Sequence, residues 1–233
     1  MDARTAGRRL ADLLNLPVKP VAVPFADAPP PGVAHVSKAG PAGCACWKQA
    51  AEGATFYTEA ADHFNCPVGA HTHGVALPPG RAKELEAVVG TMVGLQYIRM
   101  EEVEPLPRRT APFGVAVYAP LADTPTPPDV VIVRGRARQI MLFAEATRAA
   151  GLASDAAAMG RPGCAVIPAT LARPDAVTSL GRIGNRVYTG LGDDEPYFTI
   201  PGGRVGDVVE RLETVVHANR ELERYHQGRR AAG

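Results

Sequence analysis

Soft metal ligands are concentrated in one short part of this 233-residue chain, between residues 43 and 74. This Cys/His-rich segment contains three of the four cysteines, Cys44, Cys46 and Cys66, and three of the six histidines. Cys164 lies far downstream. Cysteine thiolates bind iron–sulfur clusters, zinc and copper(I), so the pattern indicates a metal or cluster site. It does not specify a reaction, and whether the chain is an enzyme stays open.

Three cysteines are the predicted ligands of iron. Cys44, Cys66 and Cys164 each lie next to a glycine or a proline, and a flexible backbone allows a sulfur to turn inward. All four cysteines are candidates to hold the cofactor. Cys46 is a reserve ligand, because Cys44 and Cys46 are closer in sequence than the paired ligands of zinc sites. The alternative is that the cysteines are small core residues, as free cysteines often are.

The motif His71-Thr72-His73 is the second ligand candidate. In an extended segment both imidazoles would lie on one side, close enough to share a metal. With His63 and Cys66 they could form a mononuclear zinc or iron site. Proton donation and support of a neighbouring ligand are alternatives. We treat His71 and His73 as candidate catalytic residues.

Arginines supply the candidate anion contacts. Arg186 follows Gly184 and Asn185 in a glycine-rich turn that could bind an anion, and it completes the candidate catalytic set. Three arginines between residues 134 and 138 follow a predicted strand and could hold a carboxylate or phosphate, or form a solvated turn. Neither a Gly-x-Gly-x-x-Gly motif after a strand nor a Walker loop is present, so nucleotide binding has no motif support.

Charge and hydropathy limit the partners. Lys and Arg number 25 and Asp and Glu 24, a balance that disfavours nucleic acid or an anionic membrane as the main partner. Residues 1–16 lack the apolar continuity of a signal peptide, and no apolar run reaches the roughly 18 residues of a transmembrane helix. We expect a cytoplasmic protein with reduced cysteines and a small, anionic ligand.

The elements that position these residues mix helices and strands. Apolar residues at helical spacing predict helices over residues 6–16, 81–102, 139–150 and 205–225. Short β-branched and aromatic runs predict strands near residues 18–25, 55–58, 114–118, 129–133, 187–189 and 197–200. In the second helix, an apolar stripe is expected to be core: Leu85, Val88, Val89, Met92 and Leu95.

These elements predict one α+β domain over residues 1–233. It has a modest mixed sheet with three substantial helices packed on it, and its long C-terminal helix covers about residues 205–226. That helix could pack on its own core or on a second copy of the chain. A homo-oligomer is therefore left open.

Five stretches of the chain resemble a prokaryotic family, the one catalogued as domain of unknown function 169. They are residues 43–47, 62–70, 128–132, 163–165 and 179–186. The resemblance supports one domain and implies no activity. It implies that cysteines recur at positions like Cys44, Cys66 and Cys164, and that another lies in the Ser-Leu-Gly turn, where this chain has Arg182.

The leading hypothesis is an iron–sulfur protein that holds its cluster through Cys44, Cys66 and Cys164. If the family uses four cysteines, this chain either recruits Cys46 or leaves one iron open. The cluster would perform redox or Lewis-acid chemistry on a small anionic molecule. One alternative is a non-catalytic module that binds a small molecule or a metal, the metal being zinc or the iron of heme. Another is that the cysteines are core residues beside an organic ligand.

Overall fold

The computed structural model describes residues 1–103, 106–153, 163–173 and 175–232. Its helices are α1 (Ala3–Leu14), α2 (Ala45–Ala51), α3 (Pro67–Thr72), α4 (Pro79–Gly94), α5 (Ala137–Ala149), α6 (Val166–Ala172), α7 (Ile183–Thr189) and α8 (Val205–Ala232). Its strands are β1 (Val21–Val23), β2 (Phe25–Ala26), β3 (Phe56–Thr58), β4 (Val115–Pro120), β5 (Val130–Arg134), β6 (Val177–Ser179) and β7 (Tyr197–Pro201). The predicted α+β class is confirmed.

The seven strands of the described residues form one antiparallel sheet. β5 lies between β1 and β7, and β6 continues the sheet by pairing with β7. β4 pairs with β1 and β2 along one edge and with β3 along the other, since Ala116 is opposite both Phe25 and Thr58. Each of these pairings is antiparallel, so the sheet is not of the mixed kind that we expected.

Alternating residues of β5 contribute to two hydrophobic cores, one on each face of the sheet. Val131 and Val133 belong to the core that α1, α5 and α8 cover. Val130 and Ile132 belong to the core that α2 and α6 cover. The second core includes the cysteines of the Cys/His-rich segment, so the candidate site lies on that face.

Residues 187–189 are helical, and the strand predicted there is wrong. They form the end of α7, where the Thr189 hydroxyl donates to the Asn185 carbonyl at 2.7 Å. Gly190 ends the helix in the left-handed conformation, at φ 64°, which glycine adopts without steric cost. Local β propensity is therefore overridden by the contacts of one helical turn.

The apolar stripe of α4 is not core, contrary to the prediction. None of the 16 residues of α4 is buried. Val88 and Leu95 are exposed, whereas Leu85, Val89 and Met92 are half-buried and line a cavity. The helix itself is present, so the periodicity identified the element but not what its apolar face meets.

The C-terminal helix is longer than predicted. α8 spans 28 residues and packs against α5 and α1 through its first half, in which Val208, Val209 and Leu212 are fully buried. Its outer half carries exposed residues such as Leu222. In the ranges that the structure describes, no helix combines the length and the apolarity needed to cross a membrane.

Candidate functional site

Three cysteines from distant parts of the chain line one cavity. Cys44 immediately precedes α2, Cys66 immediately precedes α3, and Cys164 lies in the 3-10 turn that leads into α6. We call this space the thiol cavity, and its wall also includes Arg182 and Asn185. All four cysteines of the chain are free thiols. The three residues that the sequence assigns to iron thus share one cavity.

The thiol cavity has room for a compact group. The space open to the centre of a water-sized sphere is about 120 Å³, and a single water needs about 10–15 Å³ on this measure. Gly69 helps to keep this shape, because a Cβ atom there would lie 2.9 Å from the Cys66 sulfur. Any side chain at position 69 would displace that sulfur.

Burial favours the protonated form of the thiols. Desolvation raises the pKa of Cys44 to about 11 and the pKa of Cys164 to about 12. Smaller effects oppose this, since Asn185 lowers the pKa of Cys44 and the Thr72 hydroxyl lowers that of Cys164. A nucleophilic cysteine needs a lowered pKa, and the shifts of Cys44 and Cys164 are in the opposite direction. A metal would bind by displacing the protons.

Cys46 lies outside the thiol cavity. Its side chain is buried in the core between α2 and the sheet, where burial raises its pKa to about 12. It occupies this position as a small hydrophobic residue would. Within the described ranges, no group of three His, Cys, Asp or Glu side chains is spaced to hold a metal ion, and this includes the three cysteines of the thiol cavity. The role of Cys46 as a reserve ligand stays a prediction.

His71 and His73 lie on different sides of α3. We expected both imidazoles on one side of an extended segment, but the segment is helical. The two side chains therefore point in different directions. His71 is half-buried and lines a second cavity, and its pKa is lowered by burial and then by Arg108. His73 is buried, and its ring stacks on that of His63 with centroids 5.3 Å apart.

His63 and His73 form a buried, neutral pair. Nδ1 of His73 donates to the Gly69 carbonyl at 2.9 Å, because a carbonyl only accepts. The Thr58 hydroxyl donates to the Ala116 carbonyl and accepts from Nε2 of His63 at 3.0 Å. The other two ring nitrogens carry lone pairs and have no partner among the described residues. Burial lowers the pKa of His63 to about 3 and that of His73 to about 4.

Arg186 supports a turn and does not line either cavity. Its guanidinium donates to the carbonyl oxygens of Gly192 at 2.5 Å and Leu180 at 2.6 Å. These bonds tie together the segments before and after α7. The predicted catalytic role of Arg186 stays a prediction, and its observed contacts position the turn that carries Arg182.

The three arginines from the last residue of β5 onward have protein partners or solvent around them. Arg134 pairs with Glu195 at 2.6 Å and donates to the carbonyls of Thr189 and Gly190. Arg136 is exposed, and Arg138 pairs with Glu223 on α8. Of the two interpretations for this turn, these contacts favour a structural and solvated one.

The second cavity lies between α3 and α4, and we call it the α4 cavity. Its wall includes Val68, His71, Leu85, Val89, Met92 and Arg182. It measures about 90 Å³ as the space open to the centre of a water-sized sphere. Val68 and Arg182 line both cavities, so the α4 cavity and the thiol cavity adjoin.

Arg182 stands at the junction of the two cavities. Its Nη2 lies 3.5 Å from the Met92 sulfur, a weak acceptor. Its buried Nε has no hydrogen-bond partner among the described residues, and none of their carboxylates pairs with it. In the sequence, this position was notable only because the resemblance implies a cysteine there. That difference was the signal that could have identified Arg182 as part of the site.

Comparison with known proteins adds the family. Residues 9–211 match the model of domain of unknown function 169, described as uncharacterised ArCR. The chain belongs to this family. No curated protein and no solved structure matches it. The four positions at which the resemblance to domain of unknown function 169 implies cysteines are Cys44, Cys66, Cys164 and Arg182 here, and all four line the thiol cavity.

Proposed function

We propose that the chain binds an iron–sulfur cluster through Cys44, Cys66 and Cys164, for redox or Lewis-acid chemistry on a small anionic molecule. The supporting observation is that three cysteines far apart in the sequence line one cavity. Thiolates are the usual ligands of such clusters. The proposal includes a cytoplasmic location, because thiols stay reduced there.

Unpartnered polar atoms in the wall also favour a bound group. Asn185 is only 5% exposed. Its amide approaches the Cys44 thiol, but neither Oδ1 nor Nδ2 has a hydrogen-bond partner of good geometry among the described residues. A buried amide without a partner costs about 1–3 kcal/mol. Sulfur atoms of a cluster would accept a hydrogen bond from Nδ2 and remove part of that cost.

A bound cluster would supply electron transfer, or an open coordination position at an iron without a cysteine ligand. The chain's own residues would bind and orient the substrate. Arg182 provides positive charge beside the thiols and would hold the anion. His71 is neutral at physiological pH, because its pKa is lowered, and could accept a proton. Arg186 would hold the turn that places Arg182 and Asn185.

A non-catalytic module that binds a small molecule, zinc or heme is the second candidate. The α4 cavity favours it, because a mostly apolar wall with few polar groups is typical of sites for organic ligands.

Self-association is a further part of the proposal, since Leu222 and Tyr225 on the outer half of α8 are 56% and 58% exposed. Light scattering of the purified protein measures it.

Anaerobic purification tests the cluster. We expect a brown protein with a broad visible absorption band and equal amounts of iron and acid-labile sulfide. Cys164→Ser should lose both, because it removes one of three ligands. Cys46→Ser should keep both if three cysteines suffice, and loss of iron from it would make Cys46 a ligand. Full iron in Cys164→Ser, or a colourless wild-type protein without iron, would contradict the proposal.

A further inference from the structure

We propose that the α4 cavity binds a small carboxylic acid with an apolar body. The carboxylate pairs with Arg182, and the apolar body fills the space beneath α4. This deepens the proposed function, because it names the class of the small anionic molecule. It rests on the ligand part of that function and is independent of the cluster.

The first argument is the packing of α4. Leu85, Val89 and Met92 form one apolar face, yet that face covers a cavity instead of a core. Across the cavity lie Val68 and His71 of α3. Apolar surface left beside an open space is partly hydrated, and removing it from water is favourable in proportion to its area. An apolar ligand would therefore complete the packing between α3 and α4.

The second argument is the charge of the wall. Arg182 is a half-buried guanidinium without a carboxylate partner among the described residues. Glu102 is the acidic residue in the described part of the α4 cavity wall. Its carboxylate accepts hydrogen bonds from the backbone N–H of Arg99 at 3.0 Å and from Nη2 of Arg99 at 3.4 Å. Its negative charge is thus compensated from within its own turn. An anion supplied by the ligand would compensate the charge of Arg182.

The number of donors indicates a carboxylate rather than a phosphate. A guanidinium matches the two oxygens of one carboxylate with two parallel hydrogen bonds. Phosphate sites in proteins add several backbone N–H groups or further cations. The described part of the wall contains two basic residues, Arg182 and His71. The pKa of His71 is lowered, which leaves its ring neutral, so Arg182 is the cation available to the ligand.

The size of the cavity limits the apolar body. A space of about 90 Å³ corresponds to roughly six to nine water-sized groups. Hexanoate and acids of similar size fit this limit. Because Arg182 lies where the two cavities adjoin, a bound acid would place its carboxyl end next to the thiol cavity and its body away from it. The carboxyl end, or the carbon next to it, is then the part that would meet the cysteines.

Calorimetric titration with three ligands of equal chain length tests the proposal. We expect hexanoate to bind about tenfold or more tightly than hexan-1-ol, because its carboxylate forms an ion pair with Arg182 and can accept two parallel hydrogen bonds, whereas the uncharged hydroxyl can accept one. Hexylamine should bind more weakly than either. Acetate, which has the charge without the body, should also bind at least tenfold more weakly than hexanoate.

Two variants separate the charge from the cavity. Arg182→Met should weaken hexanoate binding about tenfold or more and weaken hexan-1-ol binding much less, because the hydroxyl loses one hydrogen bond and no ion pair. Val89→Trp fills the cavity and should weaken both. The matched control is Arg148→Met, because Arg148 is exposed on α5 and pairs with Glu145 in its own helix. It should change neither affinity.

The proposal is overturned if hexanoate does not bind, or binds no better than hexan-1-ol, or binds equally well to Arg182→Met. If Arg182→Met does not fold, two other results test the proposal. They are the relative affinities of the ligands for the wild type and the affinities of the Val89→Trp variant. Iron content and hexanoate affinity, measured separately on the same wild-type preparation, distinguish the two proposals. A protein that holds iron but does not bind hexanoate would support the cluster proposal and contradict the carboxylic-acid proposal. A protein that binds hexanoate but holds no iron would support the acid proposal and contradict the cluster proposal.

Discussion

Mild acid should destabilise this protein through its two buried histidines. His63 and His73 are each 1% exposed, and burial lowers the pKa of His63 to about 3 and that of His73 to about 4. In the unfolded chain both return to about 6.5. Between pH 6.5 and pH 4 the unfolded chain therefore binds more protons than the folded protein. The free energy of unfolding is highest above pH 6.5 and falls as the pH falls.

The magnitude follows from the difference between the folded and unfolded pKa values. Each pH unit below 6.5 removes about 1.4 kcal/mol per histidine until the folded pKa is reached. At pH 5 the loss is about 2 kcal/mol for each histidine and about 4 kcal/mol for the pair. This is a large part of the roughly 5–15 kcal/mol by which a typical domain is stable.

Urea unfolding at pH 7.5, 6.5, 5.5 and 5.0 measures this loss, with the fluorescence of buried Trp47 as the signal. His73→Asn keeps a donor at the position of Nδ1, and His63→Gln keeps one at the position of Nε2, but neither side chain titrates. Each variant should lose about half of the pH dependence. His226→Asn, exposed on α8, is the control and should keep all of it. A wild-type stability that is constant from pH 7.5 to 5.0, or a dependence that both variants retain, would refute the buried neutral pair.

Four further substitutions test the site and the fold. Arg182→Cys restores the cysteine that the family resemblance implies at this position, and it should raise the iron retained after exposure to air while weakening hexanoate binding. Arg134→Met should lower the free energy of unfolding by about 3 kcal/mol, because it leaves the buried Glu195 carboxylate unpaired; a loss below 1 kcal/mol in urea unfolding would contradict this. Leu212→Ala should cost about 2–5 kcal/mol in the α8 core, whereas the exposed Leu222→Ala should cost less than about 0.5 kcal/mol.

Regular elements followed from the sequence where their side chains repeat on one buried face. α8 shows this, because Val208, Val209 and Leu212 recur at helical spacing and are all buried. α4 has an equally clear pattern, but periodicity cannot tell whether an apolar face meets other side chains or a cavity. Residues 187–189 show the converse limit, since three β-prone residues became helical through contacts that lie outside them.

The candidate site was predictable in composition and not in geometry. Cys44, Cys66 and Cys164 were identified by residue type, but the cavity they share depends on the strand order and on how α2, α3 and α6 pack, which no short motif encodes. His71 and His73 were assigned to one side because three residues do not distinguish a strand from a helical turn. Sequence reasoning named Arg186 and gave Arg182 no role for a similar reason, because the two lie about one helical turn apart and only the fold decides which one lines the cavity.

Arg182 links the two halves of the proposed function. Guanidinium stays protonated in proteins and cannot be a metal ligand, so a cluster held by three cysteines would have no protein ligand from this direction. The same positive charge would hold a carboxylate at that place. A fourth cysteine would favour a closed cluster that only passes electrons, whereas an arginine leaves room for a bound acid beside an iron. If the proposed cluster binds, the arginine that stands where the resemblance implies a cysteine would therefore favour chemistry on a bound substrate over electron transfer alone.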